Sequence, residues 1–306
     1  MTTYTRKGEV YLPILLRMIL VALFWAGLYP IGYITVGMMH PIIVAFYRFL
    51  LTALCLVPLL LLRERGSWKI KKREWVPLLL LGLTGIFSYN SFFFIGLQSA
   101  GAVKSAVIIA SIPMVTSVLA RLIYKDLFTP RKIIGILLSF SGVILVVTEG
   151  KLLRIFHPTS GDFWLFSAVL VFSVYTLLGK KFMVKMTPLK TTTYATLFGT
   201  IMFIPVVLWL GIPVVVEATF MQWSALLYMA FFATVIAFVW WNQGVTELGP
   251  GVTSIFLNLV PVFTLLLSLL FGEEIHWTHV TGTILVVCGV RLTTYTSSQK
   301  KAIPSQ

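Results

Sequence analysis

A guanidinium cannot be neutralised at any ordinary pH, yet Arg48 stands in the run PIIVAFYRFLL, residues 41–51, with apolar side chains on both sides. Two kinds of chemistry suit such a permanent cation: it binds an anion, or it ties backbone carbonyls and helix ends together. Lys104, in GAVKSAVIIA, is a second cation, set among small residues that leave room for a ligand or a neighbouring helix. Its ammonium can meet an entering carboxylate, or it can snorkel to lipid headgroups. Acidic partners are scarce. No Asp or Glu lies deep in an apolar run; Asp162, Glu247 and Glu273 fall at run ends, and His40, His157, His276 and His279 lie near one boundary. A proton relay on a carboxylate buried in these runs is therefore not expected. Nor is an enzyme expected: there is no G-x-S-x-G, no H-E-x-x-H and no deep pair of carboxylates, the arrangements hydrolysis or group transfer needs. No cofactor and no metal are expected.

Aromatic and amide groups supply the other candidates. Trp25 and Tyr29 are four apart and share a helix face, as do Tyr89 and Phe93 beside Asn90. Tyr175, Trp240, Trp241 and Asn258 complete a plausible lining, and such faces suit a planar or amphipathic small solute. Each aromatic alone is as well explained by packing or lipid contact. Asn258 stands apart, because an amide at the centre of a span must find hydrogen bonds in other helices or a wet cavity. Pro113 and Pro261 sit at mid-span and each predicts a kink, either static or a hinge.

The elements that must position these groups follow from composition. Of 306 residues, 58% are hydrophobic and only 11% charged, against about 25% charged in soluble domains. Apolar runs of about 20 residues, the length that spans a bilayer as a helix, recur along the chain. Strands are unlikely candidates, because the runs do not alternate as a barrel's would. Ten spans are expected near 15–36, 41–62, 75–97, 102–124, 131–148, 162–184, 190–211, 222–246, 251–272 and 279–296. The first reads as a span and not as a cleavable leader. Cys55 and Cys288 fall inside spans as small hydrophobes. With the N-terminus in the cytoplasm, nineteen Lys and Arg residues fall on that side against three on the other, among them Lys104. That asymmetry places both termini inside, and it makes the net charge of +14 a topology signal and not a sign of nucleic acid.

The chain also repeats itself. Pro41, Tyr47 and Pro58 recur 147 residues later as Pro188, Tyr194 and Pro205, and Gly32 as Gly179. Trp75, Gly96, Gly101 and Pro113 recur 148 later as Trp223, Gly244, Gly249 and Pro261; Asp126, Gly135 and Gly142 match Glu273, Gly282 and Gly289. Two units of five spans follow, 1–150 and 151–306. An odd count inverts the second unit, and inverted repeats suit alternating access around a midplane site. Transport is implied on this ground alone.

The segments beginning GLQSAGAVKSAVIIASIPMV and GVTELGPGVTSIFLNLVPVF resemble the two EamA domains of the drug/metabolite transporter superfamily. The shared pattern is a small-residue helix with a mid-span Pro, then a Gly-Glu corner, then a Gly opening the last helix: Pro113, Asp126 and Gly135, then Pro261, Gly272, Glu273 and Gly282. The first copy departs from it with Lys125 and Asp126 in place of Gly-Glu. The resemblance implies an all-α membrane fold of ten helices with a cavity lined by spans one, three, four, six, eight and nine. It also matches Arg48 to an arginine kept across unrelated substrates, which favours a structural role for it. Implied cargo ranges from amino acids and sugars to nucleotide sugars, purines and drugs. The expectation is an alternating-access carrier in the cell membrane, as monomer or homodimer, moving small metabolites such as amino acids by export or facilitated exchange, since no carboxylate relay is expected. A nucleotide-sugar, phosphorylated-metabolite or drug carrier and a lipid-interacting protein are the alternatives.

Overall fold

The computed structural model describes residues 5–64, 68–124, 129–151, 158–182, 186–213, 218–248 and 256–299. Of the repeat landmarks, Asp126 and Gly249 lie outside them. The described residues are helical, with no strand among them. Apolar residues outside a bilayer's reach of water must satisfy every backbone group locally, and helices do so.

Among the described residues the helical segments run in order: α1 Thr5–Met38, α2 Pro41–Arg63, α3 Lys72–Ala100, α4 Ala102–Ile123, α5 Pro130–Thr148, α6 Ser160–Phe182, α7 Pro188–Trp209, α8 Phe220–Trp241, α9 Phe256–Leu270 and α10 Trp277–Gln299. Seven are long and apolar enough to cross a membrane; the apolar helices at α5, α9 and α10 are shorter. The expectation of ten spans is thus met by seven on length alone. Starts are written locally. His40 accepts the Ile42 N–H and Thr187 the Lys190 N–H, each cap preceding a first-turn proline, Pro41 or Pro188, where a missing N–H costs nothing. Thr159 and Asp162 cap each other's N–H groups at the start of α6, as a capping box does.

The internal repeat is visible in the packing. Gly135, Gly142, Gly282 and Gly289 form the seam between α5 and α10. A Cβ on Gly142 would stand 2.7 Å from the Gly282 carbonyl oxygen, and one on Gly282 would stand 2.9 Å from that of Gly142. The repeated glycines therefore let two helix backbones touch. Tyr47 of α2 packs edge-on to Trp223 of α8, ring centroids 5.3 Å apart. Its repeat mate Tyr194 packs on Phe198, which packs on Trp75. Each half thus presents its tyrosine helix to the tryptophan helix of the other.

Two departures from regular α-helix recur at matching places. Helices α3 and α8 each contain a π-helical stretch, Gly82–Ser88 and Tyr228–Ile236. Helix α4 is interrupted, built of Ala102–Ile109 and Ile112–Tyr124 joined through Ala110 and Ser111, and α9 opens with a 3-10 turn, Phe256–Asn258, that leads into Leu259–Leu270. The kinks expected at Pro113 and Pro261 are therefore helix starts. Each proline occupies the first turn of a new helical piece, where it breaks no hydrogen bond. The reason is local: a helix that stops before the proline avoids the clash of its ring with the preceding turn.

Candidate functional site

Both π-helical stretches leave carbonyls that regular helix bonds do not serve, and side chains serve them. Asn90 Nδ2 donates to the Gly85 carbonyl at 3.3 Å and the Ile86 carbonyl at 2.8 Å. Across the molecule, Thr234 Oγ1 donates to the Met229 carbonyl at 2.8 Å, and Trp25 Nε1 to the Ala233 carbonyl at 3.0 Å. π-Helical insertions cluster at functional sites, and here one occurs in each half.

Arg48 joins them. Its Nε and Nη2 donate to Thr234 Oγ1 at 3.3 and 3.0 Å, and its Nη1 donates to Asn90 Oδ1 at 3.3 Å. The side chain is buried, 6% exposed, with the guanidinium carbon 5.0 Å from the Phe49 ring centroid and 5.9 Å from that of Phe94. No Asp or Glu pairs with it among the described residues. A guanidinium carries five N–H groups, so the three bonds leave two without an acceptor among the described residues.

Tyrosines surround this cation. Tyr29 and Tyr89 both lie within its electrostatic reach. Tyr29 packs edge-on to Phe93 at 5.5 Å, Phe93 stacks on Tyr89 at 5.9 Å, and Phe172 links Tyr89 to Tyr175 at 4.6 and 5.2 Å. The Tyr175 ring lies directly against Gly85, where any side chain would collide with it. Among the described residues the hydroxyls of Tyr29, Tyr89 and Tyr175 take no hydrogen-bond partner. Arg48, Tyr29, Tyr89, Asn90, Phe93 and Tyr175 thus form one assembly from α1, α2, α3 and α6, with Thr234 from α8.

The remaining sequence candidates lie elsewhere. Trp25 and Trp241 pack together at 5.2 Å in a second cluster with Met18, Val21 and Ala237, and Trp240 stacks on Phe24 at 6.0 Å. Asn258 ends the 3-10 turn before Leu259 and forms no side-chain cap there. Lys104 neither reaches headgroups nor stands open to a solute: its Nζ is 2.8 Å from Asp162 Oδ1, the two side chains 10% and 1% exposed. Burial forces the choice, because an ammonium out of water needs a counter-charge. A second buried pair, Lys190 with Glu74 at 2.9 Å, joins α7 to α3 at the opposite end of the molecule. Thr234 was not singled out from sequence; a lone Thr in an apolar run carries no signal of its own. Asp162 carried one, the T-x-x-D spacing of Thr159 and Asp162 ahead of an apolar run.

A model of the EamA-like transporter family matches the chain twice, over residues 12–148 and 159–295. The chain belongs to the EamA-like transporter family. Among its EamA relatives, the uncharacterized transporter YyaM of Bacillus subtilis is 34% identical over 292 residues, covering 92% of this chain and 96% of its own. A probable terminal-alkyne amino-acid exporter of Streptantibioticus cattleyicolor is 24% identical over 232 residues, covering 74% and 75%. One crystal structure, 17% identical, superposes with a TM-score of 0.65 over 95% of this chain and 99% of that one; at that identity it speaks for the fold alone. The chain is a membrane transporter of this family, and its relatives are named as transporters, not enzymes.

Proposed function

We propose that this EamA chain carries small carboxylate-bearing metabolites, amino acids foremost, across the cell membrane by alternating access. All ten helices cross in this reading, the second half is inverted relative to the first, and both termini lie in the cytoplasm, as the basic residues argue.

One observation carries the choice of solute: among the described residues, a buried Arg48 lacks a carboxylate partner, keeps two N–H groups unused, and sits beside unpartnered tyrosine hydroxyls. A carboxylate meets a guanidinium through charge-assisted bonds, while Phe93, Tyr89 and Tyr175 offer faces to an apolar or aromatic body. The Lys104–Asp162 pair bears on the rival. A phosphate ester or nucleotide sugar wants several free cations, whereas Lys104 is held by Asp162 outside the assembly and, among the described residues, the assembly itself carries Arg48 alone. The name of the Streptantibioticus relative, an amino-acid exporter, points the same way.

Thermal shift of the purified protein against a panel of solutes tests this. A ligand that binds only the folded state stabilises it by mass action. Aromatic and branched amino acids should raise Tm, and their decarboxylated amines should not. A panel in which only nucleotide sugars or phosphorylated compounds raise Tm would overturn the solute class.

A further inference from the structure

The first piece of α4, Ala102–Ile109, differs from its surroundings. Gly101, at φ +81°, separates it from α3, and the break at Ala110 and Ser111 separates it from the rest of α4. All eight of its residues are buried. Among the described residues, the two carboxylates that hold it from other elements both come from the second half of the chain. Asp162 of α6 holds Lys104 Nζ at 2.8 Å, and Glu273, in the α9–α10 corner, accepts the Val103 N–H at 3.2 Å. The Glu273 carboxylate lies so close that a Cβ on Gly101 would stand 2.9 Å from its Oε1.

We infer that Ala102–Ile109 is a movable plug on the outer face, latched shut by Asp162 on Lys104 and by Glu273 on the helix start. The inference rests on the alternating-access reading, which requires an outer barrier to open and close. A rigid span would need neither the left-handed glycine at one end nor the break at the other; together they let eight residues swing as a unit, since hinges are a few residues at element ends. Both latches favour the closed position. A carboxylate at a helix start interacts well with the exposed N–H groups, and a buried ammonium keeps its partner because separation strands two charges. Asp162 is itself fixed, its other oxygen bonded to Thr159 N at 2.9 Å and Thr159 Oγ1 at 2.7 Å, so it is the plug's lysine that lets go. At the inner face Lys190 binds both Glu74 Oε2, at 2.9 Å, and the Lys69 carbonyl, at 2.8 Å, and closes that side independently.

The test needs no known solute. Ser105, fully buried on the plug, and Thr191, fully buried beside Lys190, are replaced one at a time by Cys in the full-length protein in oriented proteoliposomes. A charged, membrane-impermeant thiol reagent is applied to the matching side; the parent chain, whose Cys55 and Cys288 face outward from the helix bundle, gives the background. Lys104→Met and Glu273→Ala should each label Ser105→Cys from outside about tenfold faster or more, since a lost latch shifts the population to the open form. Inner labelling of Thr191→Cys should stay the same or slow. Lys104→Arg, which keeps the charge, should behave like the parent. Unchanged outer labelling in both variants would overturn the latch. Equal acceleration at both faces would also overturn it, marking the pair as a strut of the whole fold. Failure of every solute in transport would leave these rates readable, so the two readings fail separately.

Discussion

Thr234→Val is the substitution that most directly weighs the tie between the two halves. The hydroxyl accepts from Arg48 Nε at 3.3 Å and Nη2 at 3.0 Å, and valine keeps its shape while removing the one oxygen that accepts from both. Two estimates compete. Hydrogen bonds between membrane helices average about 0.6 kcal/mol, because partners are found in the unfolded-in-membrane state as well. Bonds to a charged group contribute about 1.5–3 kcal/mol, and a buried donor left without an acceptor loses more than the bond. Arg48 is 6% exposed, so a donor deprived of Thr234 is poorly served, and the second estimate should win. The expected loss is about 2 kcal/mol, or about 30-fold in the folded-to-unfolded ratio. Thr234→Ser, which retains the oxygen, should lose less than about 1 kcal/mol, reflecting one missing methyl. Equilibrium unfolding in mixed micelles measures this, with Arg48→Met completing a double-mutant cycle. A coupling energy near 2 kcal/mol supports the tie. Additive losses, or a serine variant as unstable as the valine, would refute the reasoning.

Three further outcomes follow from the same geometry. Gly282→Val should break the α5–α10 seam, since its Cβ would stand 2.9 Å from the Gly142 carbonyl oxygen; a loss of about 1–3 kcal/mol should appear in the same unfolding assay. Trp25→Phe keeps the ring packing but strands the Ala233 carbonyl, now bonded at 3.0 Å, and should lower stability by about 1 kcal/mol. His40 gives a pH dependence: burial lowers its pKa below the ordinary histidine value, and its Nδ1 accepts the Ile42 N–H at 3.3 Å only when unprotonated. The unfolded chain then binds a proton first on acidification. The contribution of His40 is full above about pH 6.5 and is lost as pH falls below it. The drop in Tm from pH 7.5 to pH 5 should therefore be smaller in His40→Asn, which keeps a capping acceptor.

How much of this could be read from residue order depends on range. Apolar run length, basic asymmetry and the repeat are properties of the chain itself, so the helices and the duplication were legible. The glycines Gly135, Gly142, Gly282 and Gly289 were found as landmarks, but that they meet at one seam is a fact about pairs of helices. Arg48 was conspicuous because a charge in an apolar run is costly; its partner Thr234 was silent because threonine is cheap anywhere. Lys104 was judged against solute and headgroups, and its partner lay 58 positions on, at a helix start where an Asp ordinarily needs no explanation beyond capping. The prolines foretold a discontinuity and misplaced its form: kink and helix start differ by where the preceding hydrogen bonds stop. The π-helical stretches Gly82–Ser88 and Tyr228–Ile236 have no composition of their own, and they arise from tertiary demand.

Counterflow in liposomes reconstituted with the purified chain tests the central claim most directly. Vesicles are loaded with one amino acid at a time, aromatic ones first, and tracer uptake is followed with and without an imposed pH gradient. The account predicts accelerated exchange without a gradient, lost in Arg48→Met and reduced in Tyr29→Phe. No exchange of any amino acid, with uptake of a nucleotide sugar or a phosphorylated compound instead, would contradict it.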